Sequence, residues 1–282
     1  MNGEAPSGPV VAASNVTLSG AGFGQSPRYD FATRCRAAAD AGLAGIGLHL
    51  DDPVFVEGRA GLDHVAEVLD ATGVQLVEIE LLTGWARGVP DADRVDLLVA
   101  LGSRFGPHHV TAVEFESQPI DVRLAASTLR PIAERFAEQD VIVAVEPFPW
   151  SGLRDVDVLL ALLDEVAMSS VGAMVDVWHL SHCAAASRVD DVLDRAVAVQ
   201  LNDGERAQGD LLTAARTSRL LPGEGTLGVH DLIAGLRRRG FEGPWCVEAS
   251  DPTIRAAGID ATAARVVASA KAALKRTSPP SR

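Results

Sequence analysis

The sequence predicts a (β/α)₈ barrel, and three observations support this fold class. Short runs rich in Val, Ile and Ala alternate with longer segments that have the 3.6-residue period of amphipathic helices. The short runs are apolar on both faces, as expected of parallel strands covered by helices. The 282-residue chain accommodates eight strand–helix units of about 30–35 residues each. An open doubly wound sheet is the alternative, but no predicted strand is followed by GxGxxG or GxxxxGK(S/T).

Eight strands are predicted where β-branched and apolar residues concentrate. In chain order they are Val10–Leu18, Gly45–Leu50, Val74–Leu81, His109–Phe115, Val141–Glu146, Val171–Asp176, Ala196–Leu201 and Trp245–Glu248. Helices are predicted where Ala, Leu, Arg and Asp recur with helical spacing. In chain order they are Tyr29–Ala41, Glu57–Thr72, Asp91–Phe105, Asp121–Gln139, Asp155–Ala167, Asp190–Asp194, Val229–Arg239 and Thr262–Lys275. Gly42, Gly73 and Gly240 each follow a predicted helix, where a left-handed C-cap ends the helix before the next strand.

Composition and charge exclude several classes of protein. Apolar residues make up 47% of the chain and charged residues 22%, which is typical of a folded globular domain. No run approaches the roughly 20 apolar residues of a membrane span, and the N-terminus lacks the pattern of a secretory signal. Three scattered cysteines are expected to stay reduced in the cytoplasm. The net charge of −13 disfavours nucleic acid as a partner.

We expect one domain over residues 1–282, because no linker composition interrupts the alternation of strands and helices. Its ordered core is predicted to run from about residue 10 to about residue 275. The first few residues and the tail KRTSPPSR are expected to be flexible.

Four late strands each end in a polar residue, namely Glu146, Asp176, Gln200 and Glu248. Because side chains alternate along a strand, Glu146 shares a face with Ala144, and the opposite face carries branched apolar residues for the outer helices. The four polar side chains are therefore expected to point into the barrel at its C-terminal mouth, where catalytic residues of this fold gather.

Three carboxylates brought together would repel one another and raise their own pKa values. A divalent cation removes this conflict, with the neutral Gln200 oxygen as a fourth ligand. The alternative is that each acid is a solvated residue at the end of its strand. Because the polar residue has the same inward-facing position on four consecutive strands, the sequence favours the metal site over four unrelated solvated residues.

The strand ends also resemble a known family. VEPF around Glu146, VDVWH at Asp176–His179, VQLNDG at Gln200–Asp203 and LPGEGTLGVHDLIAGL…GFEGPWCVE ending at Glu248 are similar to motifs of the sugar phosphate isomerases and epimerases. These belong to the xylose isomerase-like TIM barrel superfamily, with inosose dehydratases, 3-dehydroshikimate dehydratases and endonuclease IV. The resemblance implies that Glu146, Asp176, Gln200 and Glu248 hold a metal ion and that His179 contacts the substrate.

Two departures from the family pattern bear on the metal and the substrate. The third ligand is commonly His, whereas Gln200 resembles the residue of some 3-dehydroshikimate dehydratases. An amide oxygen is a harder ligand than imidazole, which favours Mn²⁺, with Mg²⁺, Co²⁺ or Zn²⁺ as alternatives. Gly47 stands where the second strand often carries Glu. The additional His ligands of endonuclease IV have no counterpart among the seven His residues, which again disfavours a nucleic-acid substrate.

The resemblance implies an isomerase or epimerase that acts on a small ketose, polyol or cyclic keto-polyol through an enediolate. Glu146 and Glu248 are then ligands and acid/base groups together, one on each face of the substrate. A metal-dependent dehydratase (a lyase) is the alternative, because both reactions begin by removing a proton next to a carbonyl. A non-catalytic barrel is a third alternative. Relatives of this kind are often homo-oligomers.

Further residues are candidates for contacting a small polyhydroxy carbonyl substrate. Glu80 shares the inward phase of the third strand with Glu78, and His49 ends the second strand. Trp85 and Trp150 follow strands three and five, where aromatic rings either line the pocket or pack the loops. In similar proteins the loop after strand seven meets a substrate phosphate or carboxylate, and here it carries Arg206, Arg216 and Arg219. We take Arg206 as the candidate, with a solvated loop as the alternative.

Overall fold

The computed structural model describes residues 9–55 and 59–277, in which eight parallel strands close into a barrel. The strands follow one another around the barrel in chain order, and the last pairs with the first. They are β1 Val11–Ala13, β2 Gly45–His49, β3 Gln75–Leu82, β4 His109–Val113, β5 Ile142–Glu146, β6 Val171–Asp176, β7 Ala196–Leu201 and β8 Trp245–Val247. The predicted fold class is confirmed and the open sheet is excluded. The termini predicted to be flexible lie mostly outside the described residues.

Helices occupy the outside of the barrel and its mouth. They are α1 Asn15–Ser19, α2 Phe31–Ala41, α3 Arg59–Thr72, α4 Ala92–Phe105, α5 Val122–Ala137, α6 Val156–Val166, α7 Val177–His182, α8 Val189–Leu193, α9 Leu211–Thr217, α10 Val229–Arg238, α11 Pro252–Ala256 and α12 Ile259–Arg276. The side chains of Asp30, Asp91, Asp121 and Asp155 each accept a backbone N–H of the helix that follows, which explains where those helices begin. None of the helices within the described residues has the length and hydropathy of a membrane span.

The first predicted strand is too long. β1 ends at Ala13, and Asn15–Ser19 forms the short helix α1, which Gly20 ends in the left-handed conformation. The Ser14 N–H donates to the Val247 carbonyl, and the Thr17 hydroxyl donates to the same oxygen. These bonds to the neighbouring strand β8 turn the chain at the barrel mouth, where β propensity alone predicts that the strand continues.

Alternation along the strands separates the barrel interior from the outer core. Ala144, Met174 and Ala198 form one buried interior cluster, and Ala12, Val77 and Cys246 form another. The strand side chains that point outward, such as Val143, pack against helix side chains such as Leu129 and Leu159 in a single large buried cluster. Asp176 pairs in register with Gln200, and Gln200 with Cys246, so the polar strand ends lie at similar heights above the interior clusters.

Candidate active site

The four polar strand ends converge at the C-terminal mouth of the barrel. Glu146, Asp176, Gln200 and Glu248 are each at most 3% exposed. The side-chain amide of Gln200 lies 3.1 Å from Glu146 Oε1 and 3.3 Å from Glu248 Oε2. A guanidinium nitrogen of Arg219 bridges Asp176 and Glu248. The side chains predicted to share one ion therefore lie within reach of one another.

The surroundings of the Gln200 amide fit a divalent cation. With its oxygen toward the glutamates, the Gln200 amide places that oxygen 3.1 Å from Glu146 Oε1 and 3.3 Å from Glu248 Oε2, and its nitrogen lies 3.5 Å from both Glu78 and Glu80. Two ligands at right angles around an ion, each at about 2.0–2.3 Å, lie about 2.8–3.3 Å apart. The amide turned the other way donates to both glutamates instead. In the first orientation the oxygen has the surroundings of a metal ligand.

His179 adds a nitrogen to the same place. Ligand atoms of Glu146, Asp176 and His179 all lie within 4.8 Å of one another, and His179 Nε2 is 3.4 Å from Glu146 Oε1. Its Nδ1 is buried and has no hydrogen-bond partner among the described residues. His179, which the resemblance implies is a substrate contact, is thus close enough to bind either the ion or the substrate.

Arg219 supplies the positive charge inside the site. Its side chain is buried, and its Nη1 donates hydrogen bonds to Asp176 Oδ2, at 3.1 Å, and to Glu248 Oε2. The three carboxylates of Glu146, Asp176 and Glu248 carry three negative charges when ionised, and Arg219 offsets one of them. The remaining two match the charge of a divalent cation.

Burial changes the protonation of the carboxyl groups. It raises the pKa of Glu248 to about 8 against the opposing effect of Arg219, and it raises the pKa of Glu146 and of Glu80, with neighbouring carboxylates adding to the rise. Burial also lowers the pKa of His179 to about 3, so that this imidazole is neutral at neutral pH. Without a cation, the site therefore retains protons that an ion must displace.

Neighbouring side chains hold Asp176 in one orientation. Its Oδ1 accepts the backbone N–H of His179 at 2.8 Å, and its Oδ2 accepts a side-chain N–H of Asn202 at 2.8 Å. The side-chain oxygen of Asn202 in turn accepts the backbone N–H of Trp178 at 2.8 Å. Asn202 thereby fixes both the carboxylate and the first turn of α7, which positions His179.

Below the site, Glu78 takes the space that Gly47 leaves free. A Cβ at residue 47 would lie 2.5 Å from Glu78 Oε1 and 3.0 Å from the Asn15 nitrogen, so only glycine fits. Glu78 also lies 3.3 Å from His109 Nε2, within the buried interior. The glutamate expected on β2 in the family is thus replaced by a glutamate on β3 that reaches the same region.

A cavity of about 540 Å³ opens above the carboxylates. Of the predicted substrate contacts, His49, Glu80 and His179 line it. Trp85 is fully buried outside this lining, and Arg206 lies outside it too, donating to the Ser181 carbonyl. From the same loop, the cavity receives Arg216 and Arg219 instead.

The position of Arg219 is the main feature that the sequence did not single out. Arg206, Arg216 and Arg219 lie in the segment between β7 and α10, and arginine alone does not indicate which of them turns inward. The local signal is weak: Arg219 is followed by Leu220, Leu221 and Pro222, whereas Arg206 lies between Glu205 and Ala207. An arginine next to apolar residues is the more easily buried of the three.

Solved structures share this architecture. One is a xylose isomerase-like TIM barrel/4-hydroxyphenylpyruvate dioxygenase fusion protein, which is 20% identical in sequence and superposes with a TM-score of 0.80. The match covers 95% of this chain and 43% of the fusion protein, so this chain spans less than half of that protein's length. The IolI protein with a bound zinc atom is 15% identical, with a TM-score of 0.78 over 95% of this chain and 99% of that one. At these identities the likeness establishes the fold alone.

A third similar structure is D-allulose 3-epimerase from Methylomonas sp. in complex with D-allulose. It is 15% identical, with a TM-score of 0.67 over 96% of this chain and 98% of that one. A comparison with curated protein sequences gives no match. The family model described as xylose isomerase-like TIM barrel matches residues 35–274, which is most of the 282 residues. The chain therefore belongs to the xylose isomerase-like TIM barrel family.

Proposed function

We propose that the protein is a divalent-metal-dependent isomerase or epimerase of a small ketose, polyol or cyclic keto-polyol. The convergence of the Glu146, Asp176, Gln200 and Glu248 side chains at the barrel mouth carries the proposal. It combines two carboxylates that can exchange protons with a set of oxygen ligands suited to one ion. The likeness to an epimerase that binds D-allulose and to a barrel that binds zinc supports it.

In this proposal Glu146, Asp176, Gln200 and Glu248 hold the ion, with His179 close enough to join them. The ion, when bound, polarises the substrate carbonyl and stabilises the negative charge that develops on its oxygen. Mn²⁺ is favoured because Gln200 offers a hard oxygen ligand. Among similar structures, IolI binds zinc, and a barrel protein from Mycobacterium smegmatis was solved in complex with magnesium.

The two glutamates would move the proton. Glu248, paired with Arg219, removes a proton from the carbon next to the carbonyl, which gives an enediolate. Glu146, whose Oε1 lies 3.4 Å from His179 Nε2, would return a proton to the substrate. Reprotonation of the same carbon from the other face gives epimerisation, and reprotonation of the neighbouring carbon gives isomerisation.

A dehydratase of the 3-dehydroshikimate or inosose type is the second candidate. Gln200 at the third ligand position favours it, since some 3-dehydroshikimate dehydratases are similar there. In a dehydratase, Glu146 would protonate the departing hydroxyl. Both candidate reactions begin with the same proton abstraction. The dehydratase then loses water, whereas the isomerase or epimerase loses no group.

Solvent-deuterium incorporation separates these reactions. The Mn²⁺-loaded protein is incubated in D₂O with a panel of ketohexoses, inososes and 3-dehydroshikimate, and products are followed by mass spectrometry and NMR. Deuterium uptake without loss of water indicates an isomerase or epimerase, and loss of water indicates a dehydratase. If no compound exchanges or dehydrates although the protein binds the metal, the proposed function is wrong.

Variants test the assignment of the two glutamates. Glu146→Gln and Glu248→Gln are each expected to abolish turnover while the circular dichroism spectrum stays unchanged. Glu116→Gln, which changes an exposed glutamate in the loop after β4, is the matched control and should keep full activity. Near-normal turnover by either active-site variant contradicts the acid/base assignment.

A further inference from the structure

An aromatic wall runs outward from the carboxylate site along one side of the cavity. The ring of His179 contacts Phe148 and Trp150, with centroids 4.7 and 5.2 Å apart. Phe148 stacks on Trp150 at 4.9 Å and meets Phe115 at 5.5 Å. The four rings therefore form a continuous surface that begins at the candidate ligand His179 and ends at Phe115.

Phe115 stands out among the apolar side chains of this wall. It is 48% exposed, and of the large hydrophobic side chains most exposed among the described residues, Val89, Phe115 and Leu124, it alone lines the cavity. Exposed apolar surface within a concave site is a common feature of surfaces that bind an apolar part of a ligand. Phe115 does not contribute to the polar chemistry at the metal site.

Apolar groups from other elements line the cavity too. The ring of Phe23, in the loop after α1, lies over the Arg219 guanidinium at 4.5 Å. Leu212 and Ala215 of α9 and Val16 of α1 add aliphatic surface. The guanidinium face of Arg219 is thereby covered by Phe23, while its edge bonds the carboxylates. The cavity thus combines a polar floor with several apolar lining groups.

The volume exceeds what a simple polyol fills. About 540 Å³ corresponds to about 18 water molecules at about 30 Å³ each. A six-carbon keto-polyol has twelve heavy atoms, each of which displaces less volume than a water molecule does. With the polyol on the carboxylates, the space beside Phe115 and Trp150 remains available for a further group.

We propose that the substrate is a keto-sugar or cyclic keto-polyol that carries a second, apolar ring, as an aryl glycoside does. The inference rests on the proposed function for its polyol part. The oxygen-rich part lies on Glu146, Gln200 and Glu248, and the ring lies against Phe115 and Trp150. Offset or edge-on contact with aromatic side chains and removal of apolar surface from water stabilise the ring there.

Matched non-reacting probes test this substrate class. Binding of phenyl β-D-glucopyranoside and methyl β-D-glucopyranoside to the full-length, Mn²⁺-loaded protein is measured by calorimetry, with saturation-transfer NMR to identify the protons in contact. The phenyl glycoside is expected to bind at least tenfold more tightly, with its ring protons most strongly saturated. Because no turnover is required, failure here and failure of the deuterium panel are independent results.

Phe115→Ala is expected to reduce the advantage of the phenyl glycoside to less than threefold. Val89→Ala, which removes an apolar side chain that is 72% exposed outside the cavity lining, is the matched control and should leave the advantage unchanged. Equal affinity of the two glycosides, or binding of neither, overturns the proposal. Tighter binding of glucose 6-phosphate than of the phenyl glycoside, lost in Arg216→Met, overturns it in favour of an anionic substituent.

Discussion

Replacing Arg219 by Met tests the charge balance of the site. The change keeps an apolar stem of similar length beneath Phe23 and removes the cation that contacts Asp176 and Glu248. At 3.1 Å and an effective dielectric constant of about 20, the interaction with Asp176 alone is about 5 kcal/mol. Removing one partner of a buried ion pair costs about 3–5 kcal/mol in measured cases. We therefore expect the metal-free variant to lose about 3–5 kcal/mol of stability.

The loss depends on pH and on the metal. At low pH Glu248 takes up a proton, which reduces the number of uncompensated charges, so the destabilisation is largest above pH 8. A chain of this size loses about 2 °C of Tm for each kcal/mol, which predicts a decrease of about 6–10 °C. The variant site has one more uncompensated negative charge than the native site. Its affinity for Mn²⁺ should therefore rise at least tenfold, and excess Mn²⁺ should restore part of the lost Tm.

Differential scanning calorimetry with EDTA or with MnCl₂, together with titration calorimetry of Mn²⁺, measures both effects. Arg216→Met is the matched control, because Arg216 lies on α9, lines the same cavity and makes no ion pair with a described residue. The control should change the Tm by less than about 1 °C. A metal-free Arg219→Met Tm equal to the native value, or weaker Mn²⁺ binding, would refute the reasoning.

Three further predictions concern the ligands and their supports. Since the pKa of Glu248 is raised from 4.5 to about 8, the metal-free protein should lose stability as pH rises through this range. The Mn²⁺ Kd should fall between pH 6 and 8 by about tenfold per pH unit for each proton that the ion displaces, and a Kd independent of pH in calorimetry contradicts this. Gln200→His should still bind metal and shift preference toward zinc, as measured by competition between Zn²⁺ and Mn²⁺, and an unchanged preference argues against the hard-ligand reasoning. Asn202→Ala should weaken Mn²⁺ binding about 10–100-fold, because Asp176 loses a donor that orients it; unaltered affinity would show that Asn202 does not position the ligand.

The strands that carry the site follow closely from local sequence. β6 and β7 have the predicted bounds, and the phase that places Asp176 and Gln200 inside the barrel depends only on alternation along each strand. β1 is the exception, because bonds to β8 turn the chain after Ala13. Those bonds join residues more than 200 positions apart, which no local pattern reports.

The loop after β7 shows the same limit within the site. The resemblance implied that an arginine of this loop meets the substrate region, but Arg206 donates to a backbone carbonyl outside the cavity lining whereas Arg219 enters the carboxylate cluster. Which arginine turns inward depends on how the loop crosses the mouth, where Asp203 accepts the N–H groups of Gly223 and Leu227.

By itself, the sequence determined the barrel and the four polar residues at its mouth, because strand periodicity and the position of a residue at a strand end are local properties. Only the tertiary structure decided which cation offsets their charge, that the Gln200 amide meets both Glu146 and Glu248, and how much space lies above them. Those features depend on distances between side chains from separate strands and loops, and the closure of the barrel sets those distances.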